Sequence, residues 1–569
     1  MKLVYGLVLL SVCPLALSAA VVYEAPIKEG LPGWKVENYR EASAFSVERS
    51  GSSEILVVGR STSVTNGGSA WQLTGEPFAV RPGQRVTVEL RARSTFRELR
   101  FWNGFRGHYV TAILWQDAQG NRLGLPEGFG IELSEGRWCD TYFGSTVPEG
   151  AASARLSLGW DAPDFKPDDR FEVARARVHV TDPTPTGSRV SLRDDGMALV
   201  GGKPFFPIGI YAVGKCEFNG NSYDTAFRDL KAAGFNMVHR VSAMPADDNE
   251  EFLSAADRQG VFAFVMPGKK LRSKEKYVAP AEDDFGEHLV FDQEKGHPCV
   301  LAWYLADDTA MHHTPEEVYR RHRIVKAFDP DRLTFQADPV LVGDANCRYA
   351  PFVPVTDVFL PEIYPVYEKE PKGDAVSCVI RDMEAVRAAR RASGLTSKAV
   401  WPIIQHFDGW TSWQRFPTFA ELRAMSWASI VHGANGITWY VYHSASGRGR
   451  GVVDAPGKWE EISSVTREIS SVKDDLVLRD AAVQPAVEVV EGPRKDHYGF
   501  SSVTALLKDG ENPLMVAVNA TTNAVRATIG VTGFSSVRAL GEDRPVSVGA
   551  SGLADSFEPH AVHLYRLRK

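Results

Sequence analysis

The 569-residue chain predicts a multidomain fold in which a central (β/α)8 barrel is flanked by an N-terminal β-sandwich and a small C-terminal β-sandwich. Three observations predict it. Strand-like and helix-like runs alternate between residues 190 and 477, a span close to the roughly 250 residues usual for such a barrel. Short β-rich runs separated by Gly and Pro turns fill 21–182 and 478–569. Asp182-Pro-Thr-Pro-Thr-Gly187 punctuates the first boundary as a linker.

Eight runs read as the barrel strands: Phe205–Val213, Asn236–Ala243, Val261–Met266, Val300–Ala306, Leu333–Ala337, Asp357–Tyr364, Val400–His406 and Gly436–Tyr442. Tyr223–Ala233, Glu316–Phe328, Val376–Ala392, Ala420–His432 and Trp459–Val477 carry the helical period between or after them. The connection after strand five is the weak unit, because Gly343–Pro354 has no clear helical pattern. A doubly wound open sheet is disfavoured, since no Gly-rich phosphate turn follows strand one. In the N-terminal part Ile55–Val58, Arg85–Leu90, Tyr109–Trp115 and Ala154–Leu158 read as strands. In the C-terminal part Ala486–Val490, Pro513–Asn519, Ala527–Val531 and His560–Leu564 do so.

Residues 1–20 read as a secretory signal peptide: Lys2, an apolar run from Leu3 to Leu17, then small residues at Ser18-Ala19-Ala20. Export to the periplasm or medium is therefore expected, with a membrane anchor or a lipobox ending at Cys13 as the alternatives. No other run is long enough to span a bilayer. The net charge of −7 does not suggest nucleic acid or an anionic membrane as a partner. Five cysteines remain beyond Cys13, without CxxC spacing, so no zinc site is expected. His312-His313 lacks a third ligand at useful spacing, and no metal is assigned to it.

A barrel gathers its reacting groups at the C-terminal ends of its strands. That rule selects Tyr211 on strand one, Arg240 on strand two, Asp307 and Asp308 after strand four, and Asp338 after strand five. It also selects Glu362 and Tyr364 on strand six, Gln405, His406, Asp408 and Trp410 at strand seven, and Trp439 and Tyr440 on strand eight. Carboxyl pairs serve glycoside hydrolysis, and aromatic faces stack on sugar rings. Trp439, at mid-strand, also suits the barrel core. In the N-terminal sandwich Trp71, Trp102, Trp115 or Trp160 are candidates to bind glycans.

Several segments resemble the secreted barrel glycoside hydrolases. Asp195–Tyr211 looks like their entry strand, Leu230–Asn236 like their first helix running into strand two, and His432–Tyr440 like their eighth strand. His297-Pro-Cys-Val-Leu-Ala-Trp-Tyr-Leu-Ala-Asp-Asp308 resembles a fourth strand that in many of them ends Asp-Glu-Pro. Phe557–Arg566 resembles the closing strand of their accessory sandwich. The resemblance implies a glycan substrate (oligosaccharide, polysaccharide or glycoprotein) and no cofactor. Two departures stand out: Asp308 replaces the expected Glu, and strand seven ends Gln405-His406 where retaining relatives place a nucleophilic Glu. Substrate-assisted hydrolysis of N-acetylhexosaminides accommodates both, since relatives of that type use adjacent acids after strand four. Asp307 would then orient the acetamide and Asp308 would act as general acid/base. Glu362 or Asp408 with Asp308 is the conventional two-carboxyl alternative, of galactosidase or sialidase type. A catalytically inactive sugar-binding protein is another. In the structural alternative Asp308 only caps the following helix, together with Thr309 or Thr314.

Overall fold

The computed structural model describes residues 20–568 apart from 42, 51–52, 61–68, 95–100, 103–104, 107–108, 125–126, 131–135, 137, 163–167, 169, 185–187, 241–247, 267–293, 341–348, 368–374, 411, 445–448, 532, 535, 543, 545 and 550. The expected signal segment up to Ala19, with Cys13, and Cys347 lie outside the described residues. The chain forms two compact units, 1–183 with 290–296, and 184–289 with 297–569.

Eight strand positions close a parallel barrel in the second unit. They are β1 (Ile208–Val213), β2 (Met237–Arg240), β3 (Phe262–Val265), β4 (Val300–Ala306), β5 (Leu333–Pro339), β6 (Val358–Ile363), β7 in two pieces (Ala399–Val400 and Ile403–Gln405) and β8 (Ile437–Tyr440). Each pairs with its neighbours, and β8 pairs with β1 to close the ring. Pro402, which lacks an N–H, falls at the break in β7. The helices are α1 (Tyr223–Ala232), α2 (Asp248–Gln259), α3 (Thr309–His312), α4 (Pro315–Phe328), α5 (Ala375–Ala392), α6 (Phe419–Val431), α7 (Lys458–Ser471) and α8 (Lys473–Leu476). Thr314 with Glu317, and Thr418 with Glu421, form reciprocal capping boxes that start α4 and α6.

All seven residues of β4 are buried, as expected of a parallel strand covered on both faces. Alternation divides them. Tyr304 turns inward and stacks on Phe335 at 4.5 Å, while Trp303 turns outward and donates its indole N–H to Asp329 at 3.0 Å. The barrel interior is packed by Met237, Phe264, Ala302, Tyr304, Phe335, Leu360 and Trp401.

Two four-stranded antiparallel sheets follow the barrel. One comprises Val487–Glu491, Val525–Ile529, Gly552–Phe557 and Ser547–Gly549, and the other Val503–Leu507, Leu514–Asn519, Val562–Arg568 and Ser536–Ala539. This pair rests on the helix layer: Arg423 of α6 donates to the Val562 carbonyl at 3.0 Å and Ser377 of α5 to the Ala520 carbonyl at 3.1 Å. The first unit is a sandwich of a six-stranded and a five-stranded antiparallel sheet around Leu56, Leu73, Val88, Ile113 and Leu158. Trp115, a candidate glycan contact, is part of that core and has no face left for a sugar. The side chains of Trp71, Trp102 and Trp160 lie outside the described residues. Among the described residues no helix is long and apolar enough to cross a membrane.

Candidate active site

Strand four ends in a tight turn. Asp308 takes up left-handed backbone angles (φ 47, ψ 45), a conformation in which Asp is several-fold enriched over most residues. Its carbonyl accepts the Met311 N–H at 3.0 Å, but its side chain makes no capping bond. The helix-cap role therefore does not belong to the Asp308 side chain. Thr314 caps α4, and Thr309 donates its hydroxyl to the Ala337 carbonyl at 2.8 Å. From the neighbouring strand end, Asp338 accepts the Ala310 N–H at 2.9 Å and ties β5 to the start of α3. Asp307 is exposed, and the inward Tyr304 hydroxyl donates to its carboxylate.

Glu362 projects from β6 into the same mouth. It is half-buried, and among the described residues its carboxyl makes no hydrogen bond. Desolvation first, then the fields of Asp307, Asp308 and Asp338, push it well above the usual carboxyl range. Four phenols surround the acids. Tyr211 lies 6.3 Å from Tyr304 and 6.1 Å from Tyr440, and Tyr440 lies 6.0 Å from Tyr364, ring to ring. All four titrate above the ordinary phenol value, chiefly through desolvation and then through Asp307 and Glu362. Tyr440 is pushed to about 12. Asp307 and Glu362 are among the causes at all four, which places both carboxyls near one set of rings. His239 on β2 completes the wall, 4.6 Å from Tyr211, and burial lowers it to about 3, so the imidazole is neutral.

Trp410 extends the wall outward. It meets Phe407 edge-on at 4.8 Å and lies 5.8 Å from Tyr440. Gly449 permits this placement, since a Cβ there would lie 2.5 Å from the Trp410 ring. Trp413 donates its indole N–H to the Tyr364 carbonyl at 3.0 Å and so locks the loop to the end of β6.

Six expected sugar contacts have other tasks. Gln405 is fully buried and clamps Val366, accepting its N–H and donating to its carbonyl, both at 2.9 Å. His406 is buried against Phe416 and the Lys458 carbonyl, and burial lowers it to about 3. Asp408 is engaged by Arg450 through two bonds of 2.9 and 2.6 Å, which holds its carboxylate in an ion pair. Trp439 faces the helix layer, donating to Ser426 of α6 at 3.2 Å and meeting Phe235 edge-on. Arg240 is tied to Asn249 of α2 at 3.0 Å, on the face opposite His239. Asp338 is fully buried, with no surface for a sugar. Tyr304 suits a sugar-stacking role from sequence, whereas His239 and Gly449 were not singled out as site residues. Alternation along β2, which sends Arg240 to the α2 side, is the signal that finds His239.

Among the described residues Asp257, His297 and Cys299 gather ligand-type atoms within 4.8 Å, at the N-terminal end of β4 and away from the mouth. These groups bond one another: Asp257 takes the His297 ring nitrogen at 2.7 Å and the Cys299 N–H at 2.8 Å.

No family model matches the chain. A β-glucuronidase of Chlorocebus aethiops is 27% identical over 182 residues, which is 29% of this chain and 27% of the relative. One of Felis catus is 26% identical over 189 residues, 31% of this chain and 28% of the relative. The match thus spans little more than a quarter of the length of these curated relatives. A solved glycoside hydrolase superposes with a TM-score of 0.47 at 14% identity, covering 68% of this chain and 98% of its own.

Proposed function

We propose that the chain hydrolyses O-glycosidic bonds of glycans, with Glu362 as general acid and Asp307 as its charged partner. One arrangement carries the reading: Asp307, just beyond β4 and bonded by Tyr304, and Glu362, on β6, share one ring of tyrosines at the C-terminal mouth in opposite circumstances. Glu362 sits without a hydrogen bond among desolvating rings and other acids, which favours its protonated form. Asp307 is exposed and accepts the Tyr304 hydroxyl, a hydrogen bond that a carboxylate is suited to receive. Environments that separate two carboxyls in this way suit one for proton donation and the other for work as an anion. In the proposed reaction Glu362 protonates the leaving oxygen as the glycosidic bond breaks, Asp307 faces the developing positive charge at the anomeric carbon, and a water adds there and returns its proton to Glu362. Trp410, Tyr364 and Tyr440 offer faces to the sugar. The partial similarity to β-glucuronidases supports the class of reaction.

The deep position of Glu362 favours this scheme over the Asp307–Asp308 arrangement for N-acetylhexosaminides. It also replaces Asp408, which Arg450 occupies. A panel of aryl glycosides tests the proposal, with glucuronide, galactoside, glucoside and N-acetylglucosaminide among them. Glu362→Gln is expected to lower kcat on the best substrate by about 10²–10⁴-fold. Undiminished turnover in that variant would remove Glu362 from the chemistry. Sugar-dependent stabilisation without turnover in the unaltered chain would make this a binding protein.

A further inference from the structure

Asp338 is a fully buried carboxyl with an asymmetric environment. One oxygen accepts the Ala310 N–H at 2.9 Å, and the other is buried without a partner among the described residues. A buried oxygen left unpaired costs free energy, so its retention calls for a reason. The first oxygen supplies half of it. Ala310 lies two residues beyond Asp308, so the bond fixes the start of α3 and with it the strained left-handed turn bearing Asp307 and Asp308. The Thr309–Ala337 bond lies beside it and stitches the same two strand ends.

Building on the hydrolase reading above, we propose that Asp338 is a positioning residue for that reaction: it holds the strand-four acid turn and keeps the proton of Glu362 in place. Among the described residues, the groups acting on Asp338 are Asp307 and Asp308 from the end of β4, and no cation is among them. Those acting on Glu362 are Asp307, Asp308 and Asp338, again without a cation among the described residues. Each of these carboxyls raises Glu362, so a negative charge on any of them strengthens the hold of Glu362 on its proton. Desolvation and the two neighbouring aspartates raise Asp338 itself to about 7, which places its ionisation where a general acid is working.

The test uses the full chain with Asp338→Asn and Asp338→Ala. Asn retains an oxygen for the Ala310 N–H but carries no charge. Without that charge Glu362 loses its proton earlier, so the alkaline limb of the kcat/KM profile is expected to move down by about one pH unit. Ala loses the Ala310 bond as well, and its kcat is expected to fall more than about tenfold at every pH. An Asn variant with an unmoved alkaline limb would overturn the proposal and leave Asp338 a structural cap.

A second readout needs no turnover. A carboxyl whose pKa in the folded chain lies above its unfolded value stabilises the fold at low pH. That contribution is lost as pH rises from about 4 through about 7. The Tm of the unaltered chain is therefore expected to fall over that range relative to Asp338→Asn. Parallel Tm curves would count against Asp338 as a titrating group in this window, even if no glycoside is hydrolysed. Absence of turnover on every sugar, with the Tm curves diverging as expected, would fail the hydrolase reading and not the assignment of Asp338 as the titrating group.

Discussion

The ends of strands four and seven look alike in sequence and behave in opposite ways. Strand four ends Tyr304-Leu-Ala-Asp-Asp308, and strand seven ends Gln405-His-Phe-Asp408. Both offer polar groups at the barrel's C-terminal face. At strand four Tyr304 turns inward, and its hydroxyl reaches Asp307, which stays exposed in the mouth. At strand seven Gln405 clamps Val366, His406 packs beneath Phe416, and Asp408 binds Arg450. A polar residue at a strand end is thus available to substrate only when no backbone or side chain has already satisfied it. Strand seven instead supplies scaffolding, and its apolar Phe407 backs the aromatic wall by meeting Tyr440 at 5.4 Å.

Paired substitutions at the two ends break or sharpen this contrast. The largest effect is expected from Asp307→Asn, which lowers kcat about 10²-fold or more, equivalent to about 3 kcal/mol of barrel-mouth chemistry. Asp408→Asn is its control: kcat stays within about threefold, and denaturant unfolding shows a loss of about 1 kcal/mol, since the Arg450 partner is itself half exposed. Equal losses of kcat at both positions would erase the distinction between the two strand ends.

Gln405→Leu comes next. It leaves the N–H and carbonyl of the buried Val366 without partners and is expected to destabilise the chain by about 2 kcal/mol, read from the midpoint of urea unfolding. A rise in KM without loss of stability would instead return Gln405 to the list of sugar contacts. The smallest effect belongs to Trp439→Phe. It removes the bond to Ser426 and part of a buried ring, at a cost of about 1–2 kcal/mol, with KM unchanged. A KM shift there would show that the ring communicates with the mouth.

Much of the barrel was legible because each element carries a local signal. Val300–Ala306 was delimited at both ends from its apolar run, and α4 starts at the Thr314–Glu317 capping box. Boundaries moved where backbone chemistry intervened, as at Pro402 in β7. The site was legible only as a pool of candidates. Every residue of β4 is buried, so hydropathy does not separate inward Tyr304 from outward Trp303. The same holds at β8, where Tyr440 joins the mouth and Trp439 joins the helix layer.

Sequence alone determined which segments become strands and helices, because period and punctuation are local properties of the chain. It also placed Asp307, Asp308, Asp338 and Glu362 at the end of the barrel where strands release their loops. Only the tertiary structure decided which of the nominated groups remain available. Hydrogen-bond satisfaction and desolvation depend on neighbours far apart along the chain: Val366 for Gln405, Arg450 for Asp408, and Ala310 for Asp338.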